Sequence, residues 1–238
     1  MVTQFKLGDI LCDVELKDIK NIHLSVYPPE GRVHISAPER MDLDTIRVFV
    51  VSKLEWINQQ RVNFQTQERE SPREYLERES HYLWGDRLLL QVVEENQPPR
   101  IEISHRQMLL VVRPGTDQTK KKIIVEEWYR KQLREVANPL IEKWEQSLEV
   151  KANKIIIQKM KTRWGSCTPQ KGNIHLNTEL AKKPRECLEY IIVHELMHLI
   201  EPTHNARFIV LMDQTYPNWK QIKAELNRAP LGHVEWEY

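Results

Sequence analysis

The sequence predicts an α+β protein, with a β-rich N-terminal part of residues 1–115 and a mostly helical part of residues 116–238. Three observations carry this expectation. Apolar and polar residues alternate through much of the first half, the spacing becomes helical beyond about residue 119, and Gly/Pro turn signals separate the early apolar runs.

The elements follow in chain order. The first forty residues read as strands. Ile22, Leu24 and Val26 alternate with polar neighbours, and Val33 and Ile35 do the same after Pro28-Pro29-Glu30-Gly31, which makes a hairpin. Ala37-Pro38 ends the second strand. Asp42 is placed to cap one helix to about residue 63, with Ile46, Phe49, Val50, Leu54 and Ile57 at helical spacing. Residues 65–80 are highly charged and read as a linker or exposed loop. Four short strands are expected near 81–84, 87–93, 100–104 and 107–112, with turns at Gly85-Asp86, Pro98-Pro99 and Pro114-Gly115.

A helix then covers about Thr119–Ser147, with a kink or break expected near Asn138 because Pro139 lacks an N–H. Ile155–Met160 and Asn173–Leu176 read as strands. Pro184 opens a helix carried to Ile200, and two more cover about Ala206–Thr215 and Asn218–Asn227. No internal repeat is visible.

Composition narrows the function classes. Hydrophobic residues make up 40% and charged residues 29%, which suits a globular chain and not a disordered one. A net charge of +1 argues against a dedicated nucleic-acid binder. No secretory signal and no membrane span are read, and Cys12, Cys167 and Cys187 are too few and too scattered for a disulfide framework. The expectation is a cytoplasmic protein with buried free thiols. Oligomeric state is not legible.

The chemistry concentrates at His194-Glu195-Leu196-Met197-His198. Histidines four residues apart share one helix face and can reach a common ion. Zinc binds neutral imidazole nitrogens, and a catalytic site uses three protein ligands and a water. Glu195, about 100° round the helix from His194, stands beside the ion as a general base without ligating it. The helix is apolar on nearly every side (Ile191, Ile192, Val193, Leu196, Met197, Leu199, Ile200), so it is buried, and polar groups in it need partners. Pro202 stops the helix, and His204 follows as the expected third ligand. Glu201 and Asp213 are its rivals.

Arg163-Trp164-Gly165-Ser166-Cys167, Gly172-Asn173-Ile174-His175-Leu176-Asn177, His194–His198 and Thr203-His204 together resemble the YgjP-like metallopeptidase domain family, relatives of the SprT-like zinc peptidases. Val33-His34-Ile35-Ser36-Ala37-Pro38, Leu54-Glu55-Trp56-Ile57, Tyr82-Leu83-Trp84-Gly85 and Ala229-Pro230-Leu231-Gly232-His233 extend the resemblance over nearly the whole chain. It implies a zincin-like metallopeptidase part with a small β-sheet beside the metal helix, one zinc held by His194, His198 and His204, catalysis by Glu195, and a polypeptide substrate. Two departures stand out. Members often show Asn-His-Ser around the third histidine and Phe-Trp after it, where this chain has Thr203-His204-Asn205 and Phe208-Ile209.

Other features have a plain reading beside a functional one. Asn173, Ile174 and His175 could lie on a sheet edge that takes an extended peptide, or in an ordinary core strand. Trp164-Gly165 reads as a tight turn with a covering indole. Cys187, about 10.5 Å up the helix from His194, is too far to ligate the same ion and reads as core. Residues 150–183 hold Lys151, Lys154, Lys159, Lys161, Arg163, Lys171, Lys182 and Lys183 against Glu179, a local charge of +7. That patch suits an acidic substrate or nucleic-acid phosphates, or is a solvated face balanced by acidic helices. The alternative to a peptidase is an accessory protein with structural zinc attached to DNA-processing (restriction–modification) machinery, a setting the family resemblance suggests.

Overall fold

The computed structural model describes residues 2–27, 31–66, 74–160 and 163–228. The chain forms two compact units, residues 1–68 and 69–238. The division falls well before the 115/116 boundary suggested by strand pattern. The reason is packing: Leu88, Leu90, Met108, Leu110 and Val112 belong to the same apolar cluster as the later helices.

In the first unit β1 (Val2–Leu7), β2 (Ile10–Lys17), β3 (His23–Tyr27) and β4 (Arg32–Pro38) form one sheet in the order β1-β2-β4-β3. β1–β2 and β3–β4 pair antiparallel, and β2 runs parallel to β4. Period-two alternation sends Cys12, Val14, Val33 and Ile35 to one face, where Ile46, Val50 and Ile57 complete the core. The expected single helix is two, α1 (Leu43–Ser52) and α2 (Leu54–Thr66). Asp42 caps α1 by accepting from Thr45 N at 2.8 Å. The break has a local cause. The Ser52 hydroxyl takes the Phe49 carbonyl at 2.7 Å, the acceptor that the Lys53 N–H would use in a continuous helix. Lys53 N–H turns to Val50 O instead. Of the expected turn at 28–31, residues 28–30 lie outside the described residues, as do residues 67–73 of the charged segment at 65–80 and the tail from 229.

The second unit repeats this topology, although no repeat shows in the side chains. β5 (Ser80–Leu83), β6 (Asp86–Glu94), β7 (Arg100–Ser104) and β8 (Gln107–Val112) lie in the order β5-β6-β8-β7, again two hairpins joined by a parallel pair. Both first hairpins close on a two-residue turn, Gly8-Asp9 and Trp84-Gly85. Both sheets lead to an Asp-capped helix. Asp117 accepts from Lys120 N at 2.8 Å and opens α3 (Gln118–Leu148).

α3 runs unbroken through Pro139. Val125, Tyr129, Leu133, Ala137, Ile141 and Trp144 form a buried stripe on both sides of it, while Pro139 itself faces solvent, where water can satisfy the freed carbonyl. Then come β9 (Lys154–Gln158), β10 (Gly165–Thr168) and β11 (Asn173–Asn177), followed by α4 (Arg185–Met197), α5 (Ala206–Thr215) and α6 (Trp219–Arg228). The small sheet has the order β10-β11-β9, with β10 antiparallel and β9 parallel to β11. Among the described residues no helix is long and apolar enough to cross a membrane.

Asp13 offers a test of the first unit. It projects from the polar face of the sheet yet is 1% exposed. Burial alone would raise its pKa, but hydrogen bonds from Arg32 (2.5 Å) and Gln4 (2.6 Å) hold it below the usual value. The contribution is therefore complete above the unfolded value near about 3.9 and is lost as pH falls through the lower folded value. Asp13→Ala is expected to cost about 1–2 kcal/mol at neutral pH, since Arg32 stays half in water. Hydrogen exchange of β2 and β4 measures it, and unchanged protection in the variant refutes the assignment.

Candidate metal centre

α4 is buried because its sequence offers it no polar face. Cys187, Leu188, Tyr190, Ile191, Ile192, Val193, Leu196 and Met197 all lie in the core. The helix ends at Met197, three residues sooner than expected. Leu199 and Ile200 bond back three residues instead of four, a tightening common at helix ends. His198 stands at this end with helical φ and ψ, so it keeps its place one turn from His194. The chain reverses through Glu201-Pro202-Thr203, and α5 begins on Asn205, whose side chain accepts from Phe208 N at 3.0 Å. That cap fixes His204, the residue before it.

The three imidazoles converge. Nε2 of His194 and Nε2 of His204 lie 3.0 Å apart, and the ligand atoms of His194, His198 and His204 are all within 4.8 Å of one another. His198 Nδ1 lies 3.1 Å from the Glu201 carbonyl, so a proton held there leaves Nε2 to face the other two rings. Phe208 touches all three rings, stacked on His198 at 4.8 Å and edge-on to His194 and His204. His194 Nδ1 is buried with no hydrogen bond, so packing between Phe208 and Tyr190 orients that ring.

This cluster fits a divalent metal. Burial, aided by the neighbouring His198 and His204, pushes the His194 pKa down to about 3, and His204 is lowered for the same first reason. Both are then neutral, the form that ligates. Two tetrahedral zinc ligands at about 2.0–2.1 Å stand about 3.3 Å apart, close to the spacing seen. Glu201 and Asp213 are engaged elsewhere, Glu201 with Thr203 and Arg207, Asp213 with Trp219 and Lys220.

Glu195 is 5% exposed beside His194. Burial pushes its pKa up to about 8, opposed by the positive charge of Arg163. A divalent ion among the imidazoles adds further positive charge and favours the carboxylate. Gly165 makes room for it. A Cβ there would meet Glu195 Oε1 at 2.7 Å and Ile191 Cγ2 at 2.8 Å. Sequence reasoning took Gly165 for a turn residue. It lies in β10, and what matters is close approach of strand to helix. β10 itself was missed, because Gly165-Ser166-Cys167-Thr168 carries no apolar alternation.

Asn173, Ile174 and His175 occupy the central strand β11, paired on both sides, so they form no sheet edge. Ile174 is core, and Asn173 and His175 are half-buried. The free edge beside Glu195 belongs to β10, whose outer side pairs with no strand among the described residues. Cys187 is buried, with its thiol pushed up to about 11.

Much of the basic patch is partnered. Lys151 pairs with Glu145, Lys159 with Glu126 and Lys182 with Glu179, and Lys183 is buried with its ammonium 5.7 Å from the Trp164 ring. Lys154, Arg163 and Lys171 have no ion pair among the described residues, and Lys161 lies outside them.

Comparison with known proteins follows this geometry. Residues 20–229 match the family profile described as YgjP-like, metallopeptidase domain. No curated protein matches. Among solved structures, the metallopeptidase zymogen of Pyrococcus abyssi abylysin is 23% identical with a TM-score of 0.35, over 40% of this chain and 99% of that one. The zymogen of Methanocaldococcus jannaschii jannalysin is 22% identical with a TM-score of 0.34, over 38% and 86%.

Gly165→Ala is expected to push β10 off α4 and to destabilise the second unit by about 1–3 kcal/mol. Urea unfolding tests it, and a wild-type midpoint would show that the contact yields freely.

Proposed function

Since the chain belongs to the YgjP-like metallopeptidase domain family, we propose that it is a zinc-dependent peptidase cutting polypeptides at His194, His198, His204 and Glu195. One observation carries this reading: three imidazoles converge with a buried glutamate beside them. Three side chains among the described residues would hold the ion, the number of protein ligands a catalytic zinc site uses.

Zinc bound there supplies Lewis acidity to the scissile carbonyl and lowers the pKa of a water. The chain's own residues do the rest. Glu195 accepts the proton of the attacking water on a carboxylate oxygen and returns it to the leaving amine. Its burial excludes bulk water from that transfer. The free edge of β10 offers backbone groups to an extended substrate, which adds as a further strand and brings its scissile bond past Glu195. This moves the substrate strand from Asn173–His175 to Gly165–Thr168 for a physical reason: only the latter has unpaired backbone groups to offer.

The test measures zinc and cleavage of an unfolded polypeptide together. The wild-type chain should hold about one zinc, the stoichiometry of one three-ligand site. His204→Ala should lose most of it, and Glu195→Gln should keep it while turnover falls about 100-fold or more. Glu195→Gln with full turnover removes Glu195 from the reaction. A wild-type chain that takes no zinc when supplied with it overturns the reading.

A further inference from the structure

We infer that Asn177 is the positioning residue that holds β10 against Glu195 for the incoming substrate, an inference that rests on the peptidase reading above. Asn177 ends β11 and is 4% exposed. Its side chain does not face the metal. It reaches instead into the connection from β9 to β10. Nδ2 donates to Met160 O at 3.0 Å and to Arg163 O at 2.8 Å. Oδ1 accepts from Met160 N at 3.3 Å and from Glu179 N at 3.2 Å. Its backbone N–H donates to Trp164 O at 2.9 Å. One carboxamide thus uses both donors and two acceptor sites, all that the group offers.

These bonds grip both ends of the connection, at Met160 and at Arg163–Trp164, and the next residue is Gly165. At Gly165 the strand lies so near α4 that a Cβ would collide with Glu195 and Ile191, and its position over α4 follows in part from where Asn177 holds Arg163 and Trp164. The strand is short, four residues, and carries half-buried side chains that pack it only in part. Trp164 and Cys167 are partly buried against the main core, and the antiparallel ladder to β11 ties one side of the strand. Asn177 adds, through its carboxamide and its own N–H, the polar bonds that fix Arg163 and Trp164, the residues that lead into that ladder.

Asparagine is the side chain the site needs. Aspartate has no donors and sets a negative charge facing the Met160 and Arg163 carbonyls. Serine fits but is too short to bridge both. Either change loosens the hold on Met160 and Arg163 while leaving the side chains of His194, His198, His204 and Glu195 in place.

The experiment uses the full zinc-loaded chain with Asn177→Asp and Asn177→Ser. Hydrogen exchange over residues 163–168, zinc content, and KM and kcat on fluorophore-labelled unfolded casein are read together. Expected are exchange and KM both raised about tenfold, zinc retained, and kcat changed far less, as lost substrate-strand bonds require. Wild-type exchange over 163–168 in Asn177→Ser overturns the inference, as does an unchanged KM with kcat falling in step with lost zinc. Should Asn177→Asp fail to fold, Asn177→Ser decides. If the wild-type chain cuts nothing, the peptidase reading falls, and unprotected 163–168 amides in Asn177→Ser still separate a correct positioning role from a wrong one.

Discussion

Two histidines and a glutamate in a helix that is apolar on nearly every side carry a large desolvation cost, and the second unit is arranged around it. Burial, aided by the neighbouring His198 and His204, holds His194 neutral, and burial makes Glu195 hard to ionise. The converging imidazoles turn that cost to use, because imidazole nitrogens facing one another are the donors a divalent metal takes. The neighbouring elements then follow. α5 must start immediately after His204, which Asn205 secures as its cap, and Phe208 must lie under the rings. Phe208, in the first turn of α5, is thus part of the wall of the imidazole cluster.

The other side of α4 obeys the same constraint. A strand can approach a buried carboxylate only if nothing projects between them, so β10 begins on a glycine whose missing Cβ is occupied space. The strand's own sequence is poor in apolar residues, and it is kept there by its ladder to β11, by polar bonds from Asn177 to the residues before it, and by the Trp164 indole.

The repeated topology of the two sheets shows how little side-chain identity a fold demands. Two hairpins joined by a parallel pair, a left-handed turn residue closing each first hairpin, and an aspartate cap on the following helix recur about seventy-five residues apart. In the second unit the hairpin tip is put to use. Trp84 N–H and Gly85 N–H donate to Ala181 and Lys182 carbonyls, and Gly85 lies against Pro184, which braces the lead-in to α4. In the first unit Arg61 of α2 pairs with Asp9 at the Gly8-Asp9 tip.

By itself the sequence determined the local, periodic features. The alternation of β3 and β4, the Asp42 cap, the bounds of α5, and the His194–His198 pair on one face of α4 all depend on neighbours in the chain. His204 is the expected third ligand after the proline break, ahead of Glu201 and Asp213, and the fold brings its ring to those of His194 and His198. Only the tertiary structure decided the rest. Ser52 competing for a carbonyl split one expected helix into two, and a solvent-facing Pro139 left another whole. The boundary moved to 68/69 because β5–β8 share a core with α3 and α4. Which strand of the small sheet is the edge depends on pairing order, which no periodicity encodes, so Asn173–His175 proved central and β10 took the place beside Glu195. Gly165 and Asn177 were in view throughout as residues, but their roles are distances to groups thirty and seventeen residues away, and such distances exist only once the chain has folded.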